Sequence, residues 1–328
     1  MLSRTADHLF WMARYMERAE NTARVLDIAH RTSLLPNDNE GAETHLWYAP
    51  LNITGCAAEY FKSHPLVAKA DVTRFIALNS ENPASIYANL MLARENARSV
   101  RGAITSEMWE SINHTWLELG RISQDTNSDC ETCFFEWVKE RSHLFRGVTL
   151  GTMLKDDALS FIRLGTFLER ADNTARILDV KYHILLPELE TSGGVADYYQ
   201  WSALLRTVSA FEAYRKVYHD VITPARVAEF LVLSKDMPRS LHACLNEVET
   251  ELDNIRRGDE LESRRRAGAL HAALHYDRIE DIFETGLHDY LNRFLLKNQR
   301  LIDAVHSDYL ARRDGFGDGQ HFLADALQ

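Results

Sequence analysis

The chain has 328 residues, ample for a sizeable core. Its 15 glycines and 7 prolines amount to about half the usual share of turn residues, and no proline follows position 238, which excludes sandwiches, barrels and doubly wound sheets and leaves an all-α fold. A formal charge of −11 opposes bulk nucleic-acid binding.

Taken in chain order, Ser3 is placed to cap a helix running to about residue 32, with Pro36 beyond its end. Apolar runs at 46–62, 71–80 and 84–119 predict three further helices. Asp156 and Asp157 are placed to cap a helix that ends before Pro187, followed by helices at 197–220, 224–234 and 239–256. Two more are expected at 259–288 and 289–312, and residues 313–328 read as a mobile tail. No run approaches the roughly 18 apolar residues of a membrane span. The first residues lack the uninterrupted apolar core of a signal peptide, so a soluble, cytoplasmic protein is expected.

An internal repeat organises these elements. Residues 17–27 read ERAENTARVLD and residues 169–179 read ERADNTARILD, identical at nine of eleven positions. The match continues through LLP at 34–36 and 185–187, Trp47 and Trp201, Leu51 and Leu205, Tyr60 and Tyr214, and then VTRFIALNSENPASI (72–86) and VAEFLVLSKDMPRSL (227–241). The offset drifts only from 151 to 155. A tandem duplication follows, with helical units at 1–146 and 147–312, a junction near 142–156, and one compact pseudo-twofold bundle.

On a helix, Glu17, Glu20, Asn21 and Arg24 share an arc with Arg14, opposite an apolar face of Leu9, Met12, Met16, Ala19, Ala23 and Leu26. Glu169, Asp172, Asn173 and Arg176 repeat that arc, and Arg18 and Arg170 complete the two Glu-Arg pairs. Exposed ion pairs contribute about 0–1 kcal/mol, so a solvated face has no reason to keep this pattern through a duplication. The residues therefore form either a semi-buried network joining the units or a polar pocket for a substrate carboxylate or amide. Thr166 stands opposite Arg14, which breaks the symmetry of the pattern.

Other candidates are weaker. Arg94, Arg98 and Arg101 fall on one helical face as a candidate anion site or as an ion-paired face docking on Glu107, beside Glu95 and Asn96. Cys130 and Cys133 form a single CxxC with no second pair to complete a zinc site and no thioredoxin-like context. His271 and His275 have i,i+4 spacing, but 14 histidines generate such spacings readily. No metal and no cofactor are expected, and no phosphate loop, dinucleotide fingerprint, nucleophile elbow or HExxH motif is present.

The paired ERAENTARVLD and ERADNTARILD segments resemble the signature of the Alpha-E family, as do LARENARSVRGAITSEMWESIN (92–113) and FRGVTLGTMLKDDALSFIRLGTFLERAD (145–172). The resemblance covers about residues 1 to 312. It implies a bacterial helical domain that keeps company with circularly permuted ATP-grasp ligases, transglutaminase-like proteins and an NTN-type peptidase. It carries over no catalytic residues, only the motif positions above. The function it implies is a binding or scaffold subunit in peptide synthesis or modification. The alternatives are an enzyme acting on an amide or activated carboxyl through a Glu/Arg/Asn pocket, and a structural homo-oligomer.

Overall fold

A computed structural model describes residues 1–34, 42–124, 131–184, 195–255 and 261–311. Among these residues there are fifteen α-helices and no strand, in agreement with the all-α expectation. The first seven are α1 (Ser3–Ser33), α2 (Ala42–Ile53), α3 (Ala57–Tyr60), α4 (Lys69–Ala77), α5 (Ile86–Ser99), α6 (Ser106–Ile122) and α7 (Glu131–Thr152). Then come α8 (Asp157–Ile184), α9 (Val195–Thr207), α10 (Phe211–Tyr218), α11 (Pro224–Val232) and α12 (Leu241–Asn254). The last three are α13 (Glu262–Tyr276), α14 (Ile279–Thr285) and α15 (Leu287–Val305), with a π-helical turn at His306–Leu310. No helix among the described residues is long and apolar enough to cross a membrane.

The two longest of these helices carry the repeated motif, and they pack on each other at the centre. α5 and α7 flank α1, while α12 and α15 flank α8. Enclosed in this way, α1 is buried on its apolar face through Leu9, Met12, Met16, Ala19, Ala23 and Leu26. Its polar arc is buried too, at Arg14, Glu17, Glu20 and Asn21. At Gly165 the backbones of α1 and α8 approach so closely that a Cβ would overlap the carbonyl oxygen of Phe10.

Residues matched by the repeat have matched surroundings. Trp47 and Trp201, Leu51 and Leu205, and Tyr60 and Tyr214 are all buried core residues. Gly55 and Ser209 both adopt positive φ, 71° and 53°, in the turn that ends the preceding helix. The next amide closes each turn in the same way, Cys56 N–H onto the Leu51 carbonyl and Ala210 N–H onto the Leu205 carbonyl. Ser85 and Ser240 cap α5 and α12 by accepting from the amides of Ala88 and Ala243.

Several predicted runs break where the sequence carries weak punctuation. The run 46–62 divides into α2 and α3 at Gly55, 197–220 divides into α9 and α10 at Ser209, and 259–288 divides into α13 and α14. The run 84–119 divides into α5 and α6, because the Thr105 hydroxyl accepts from the Met108 amide and starts a new helix. Ser3 lies inside α1, whose N-cap is Leu2 without a side-chain bond. Asp156 does cap α8, its carboxylate accepting from the amides of Ala158 and Leu159. α7 was not predicted, and it runs through the 146/147 boundary, so the chain turns after Thr152. Residues 35–36, 185–187 and the tail 313–328 lie outside the described residues.

Candidate functional site

At the α1–α8 crossing the two Glu-Arg pairs exchange partners. Arg18 donates from Nε to Glu169 Oε1 at 2.6 Å and from Nη2 to Oε2 at 3.0 Å. Arg170 returns the same fork, Nε to Glu17 Oε1 at 2.9 Å and Nη2 to Oε2 at 3.0 Å. Each carboxylate thus takes a bidentate guanidinium from the other helix, the strongest geometry open to an ion pair. A face this polar can be buried only because its charges meet in register.

Around this reciprocal core the two sides differ. Glu169 gains Arg14, Nε to Oε2 at 2.8 Å, with the Arg14 guanidinium lying 4.7 Å from the Trp11 ring centroid. At the matching position on α8, the Thr166 hydroxyl only bonds back to the Ile162 carbonyl. Glu17 instead receives Arg239, Nη1 to Oε1 at 3.0 Å, from the turn between α11 and α12. Arg239 also holds the Asn21 Oδ1 at 3.0 Å and Glu20 Oε1 at 2.7 Å. Arg239 is a substitution within the repeat, since Ala84 stands at the matching position of 72–86. Each side therefore lacks the extra arginine that the other has, and the sequence mismatches at 14/166 and 84/239 are the readable trace of this.

α7 completes the first-unit side. Arg146 Nη1 donates to Glu17 Oε2 at 3.0 Å and also reaches Glu20, while the Ser142 hydroxyl donates to Glu20 Oε2 at 2.7 Å. Arg24 grips Glu20 from one turn along α1 at 2.8 Å, donates to the Ser209 hydroxyl at 2.7 Å and lies 3.2 Å from His143 Nε2. On the other side Arg176 donates to Asp172 at 2.7 Å, and Asn173 is half-buried. Arg239, Arg146, Ser142 and His143 are not signalled by helical spacing within the two Glu-Arg segments, because they come from outside α1 and α8.

Burial alone would push the Glu169 carboxyl up, but Arg18 and Arg14 outweigh it and hold the group at about 2. Glu17 is held down against its burial by Arg170 and Arg239. Glu20 is held well down against its burial by Arg239, the His143 contact, Arg146 and Arg24. The folded carboxylates are depressed relative to the unfolded chain, so their contribution is complete above pH about 4.5 and lost as pH falls towards 2. Glu169 alone accounts for roughly 3 kcal/mol of this. Urea midpoints followed by circular dichroism from pH 7 to pH 2.5 are therefore expected to stay nearly flat down to about 4.5 and then collapse. A uniform decline from pH 7 would mean that other groups dominate.

A family model described as Alpha-E, "a predicted alpha-helical domain with a conserved ER motif", matches residues 1–310. This chain belongs to the Alpha-E family. The Glu-Arg motif of that description has a physical meaning here, because Glu17-Arg18 and Glu169-Arg170 are the four residues that exchange partners at the helix crossing. Comparison with curated proteins and with solved structures gives no match.

The remaining candidates of this Alpha-E chain are placed as follows. Arg94 and Arg98 share one carboxylate, Glu95, rather than Glu107, at 2.8 and 2.9 Å. Arg94 also donates to the Asn113 Oδ1 at 3.0 Å, and Arg101 packs 4.8 Å from the Trp109 ring centroid. Cys133 is disulfide-bonded, and Cys130 lies outside the described residues. Burial pushes the Cys244 thiol up to about 12, so it is inert. His271 and His275 gain a third neighbour that spacing on one helix could not show, His242 from α12.

Proposed function

We propose that this Alpha-E chain is a cytoplasmic binding or scaffold component of a bacterial peptide synthesis or modification system, presenting a peptide or amino-acid substrate to an ATP-grasp ligase alongside transglutaminase-like partners. The partners come from the family resemblance. The observation that favours binding over catalysis is the saturation of the Glu-Arg network. A general acid or base needs a carboxyl whose proton is exchangeable near neutrality. Glu17, Glu20 and Glu169 are instead buried and locked in the ionised form by arginines.

The same network favours an anionic ligand at its rim. Four guanidiniums (Arg24, Arg146, Arg170 and Arg239) surround the two carboxylates of Glu17 and Glu20, and the Asn21 Nδ2 is buried without a hydrogen-bond partner. Arg24, Arg146 and His143 reach the solvent side of this cluster, where a substrate carboxylate meets unbalanced positive charge. The deciding experiment is recovery of the tagged protein from its native host with mass spectrometry of what accompanies it. Stoichiometric recovery of an ATP-grasp or transglutaminase-like protein is the expected result, and a clean protein without either overturns the reading.

A further inference from the structure

A cluster of three histidines that are not part of the Glu-Arg network lies where α12 meets α13. α12 and α13 pack as an antiparallel pair, fixed at one end by Arg264 of α13, which donates to the Leu252 carbonyl at 3.2 Å and pairs with Asp253 at 3.1 Å. At the other end the last turns of α13 lie beside the first turn of α12. There His271 and His275, one helical turn apart, project from one face of α13 towards His242. One ring nitrogen from each of the three lies within 4.8 Å of one from each of the others.

The hydrogen bonding of two of the three rings is incomplete. His271 Nδ1 contacts the Glu249 carboxylate, which places the ring proton on that nitrogen and leaves the Nε2 lone pair available. That Nε2 is buried with no hydrogen-bond partner. His242 is only 4% exposed, and its Nδ1 is buried and likewise unpartnered. Its Nε2 stands 3.5 Å from His275 Nδ1. Stacking alone gives these atoms nothing, and a buried polar atom without a partner is unfavourable.

We propose that His242, His271 and His275 form a binding site for a first-row divalent transition metal, zinc above all, with Glu249 as the carboxylate that orients His271. Zinc–nitrogen bonds of 2.0–2.1 Å in a tetrahedron require ligand nitrogens about 3.3 Å apart, close to the 3.5 Å between His242 and His275. Small side-chain movements bring the third nitrogen to the same spacing. Three imidazoles select zinc, copper, cobalt or nickel over magnesium and calcium, which prefer oxygen. A carboxylate behind a ligating imidazole is the usual outer support, fixing tautomer and ring direction. His275 is exposed, so the fourth coordination position faces solvent and can take water or a ligand. The site belongs to the second half alone, because the position matched to His242 is Tyr87.

The test uses the full chain, freed of any affinity tag and stripped with a chelator. Zinc is titrated against a chromophoric competitor, and Co²⁺ loading is followed by its visible absorption. One zinc per chain with Kd at or below about 1 μM is expected, together with a Co²⁺ spectrum of four-coordinate type. His275→Ala is exposed and does not disturb the core, so circular dichroism is expected to stay native while affinity falls at least about 100-fold. His271→Ala gives the same loss, and Glu249→Gln weakens binding about 10-fold through the outer shell. His114→Ala, an exposed histidine on α6, leaves binding unchanged. Absence of stoichiometric zinc binding overturns the proposal, as does binding that survives both His271→Ala and His275→Ala.

Discussion

The double variant Glu17→Gln/Glu169→Gln is expected to be largely unfolded at 37 °C, and each single variant to lose about 3–5 kcal/mol. The cost arises from what is left behind. Neutralising Glu169 leaves the buried Arg14 and the largely enclosed Arg18 without their counter-charge. Neutralising Glu17 does the same to Arg170 and leaves Arg239 and Arg146 to share the single carboxylate of Glu20. A domain holds only about 5–15 kcal/mol in total, so losing both carboxylates exhausts most of it. The two changes touch one network, so their sum is not additive.

The control removes the stranded charge as well as the acid. Glu169→Leu combined with Arg14→Met and Arg18→Met is expected to recover much of the loss, because apolar groups of similar volume replace a buried ion pair at little cost. Denaturant titration followed by circular dichroism measures all of these. The outcome also bears on function, since a structural network predicts destabilisation, whereas a catalytic pocket predicts a well-folded but inactive Glu17→Gln/Glu169→Gln protein. Native stability in the double variant would overturn the structural role assigned to the motif.

Gly165→Ala is expected to destabilise the protein by about 3 kcal/mol, at the upper end of overpacking effects. The added Cβ would overlap the Phe10 carbonyl oxygen and sit 3.3 Å from Arg14 Cγ. A backbone oxygen cannot rotate aside as a side-chain tip can, so α1 must move off α8 as a body. That movement loosens the contact of Arg14 with Glu169, which lies one turn along each helix. Gly147→Ala is the matched comparison. Gly147 sits inside α7 with nothing within 4 Å of a built Cβ. The same substitution there is expected to stabilise by about 0.5–1 kcal/mol through helix propensity. Thermal midpoints of the two variants should therefore move in opposite directions, and similar shifts would mean that the close approach at Gly165 is not a constraint.

The residues involved show why some of this was legible in sequence and some was not. The helices α1 and α8 were readable because their apolar positions recur with helical period, and Asp156 caps α8 as its position before an apolar run predicted. Their subdivided neighbours were not, because the breaks rest on single residues. Ser209 takes positive φ without being glycine, and Thr105 caps α6 in the middle of an apolar stretch. α7 was missed altogether, although it supplies Ser142, His143 and Arg146 to the Glu-Arg cluster.

The sequence by itself determined that the protein is helical, that its two Glu-Arg motifs matter, and that it belongs with the Alpha-E family. These properties are written in local period, in composition and in a motif, each of which a linear chain displays directly. Only the tertiary structure decided that each glutamate is answered by the arginine of the other motif rather than by its own neighbour. It also decided that Arg239 and Arg146 close one side while Arg14 closes the other, and that His242 joins His271 and His275. The reason is geometric. A buried charge is satisfied by whatever opposite charge packing brings within about 3 Å, and between α1 and α8 that partner lies some 150 residues away along the chain.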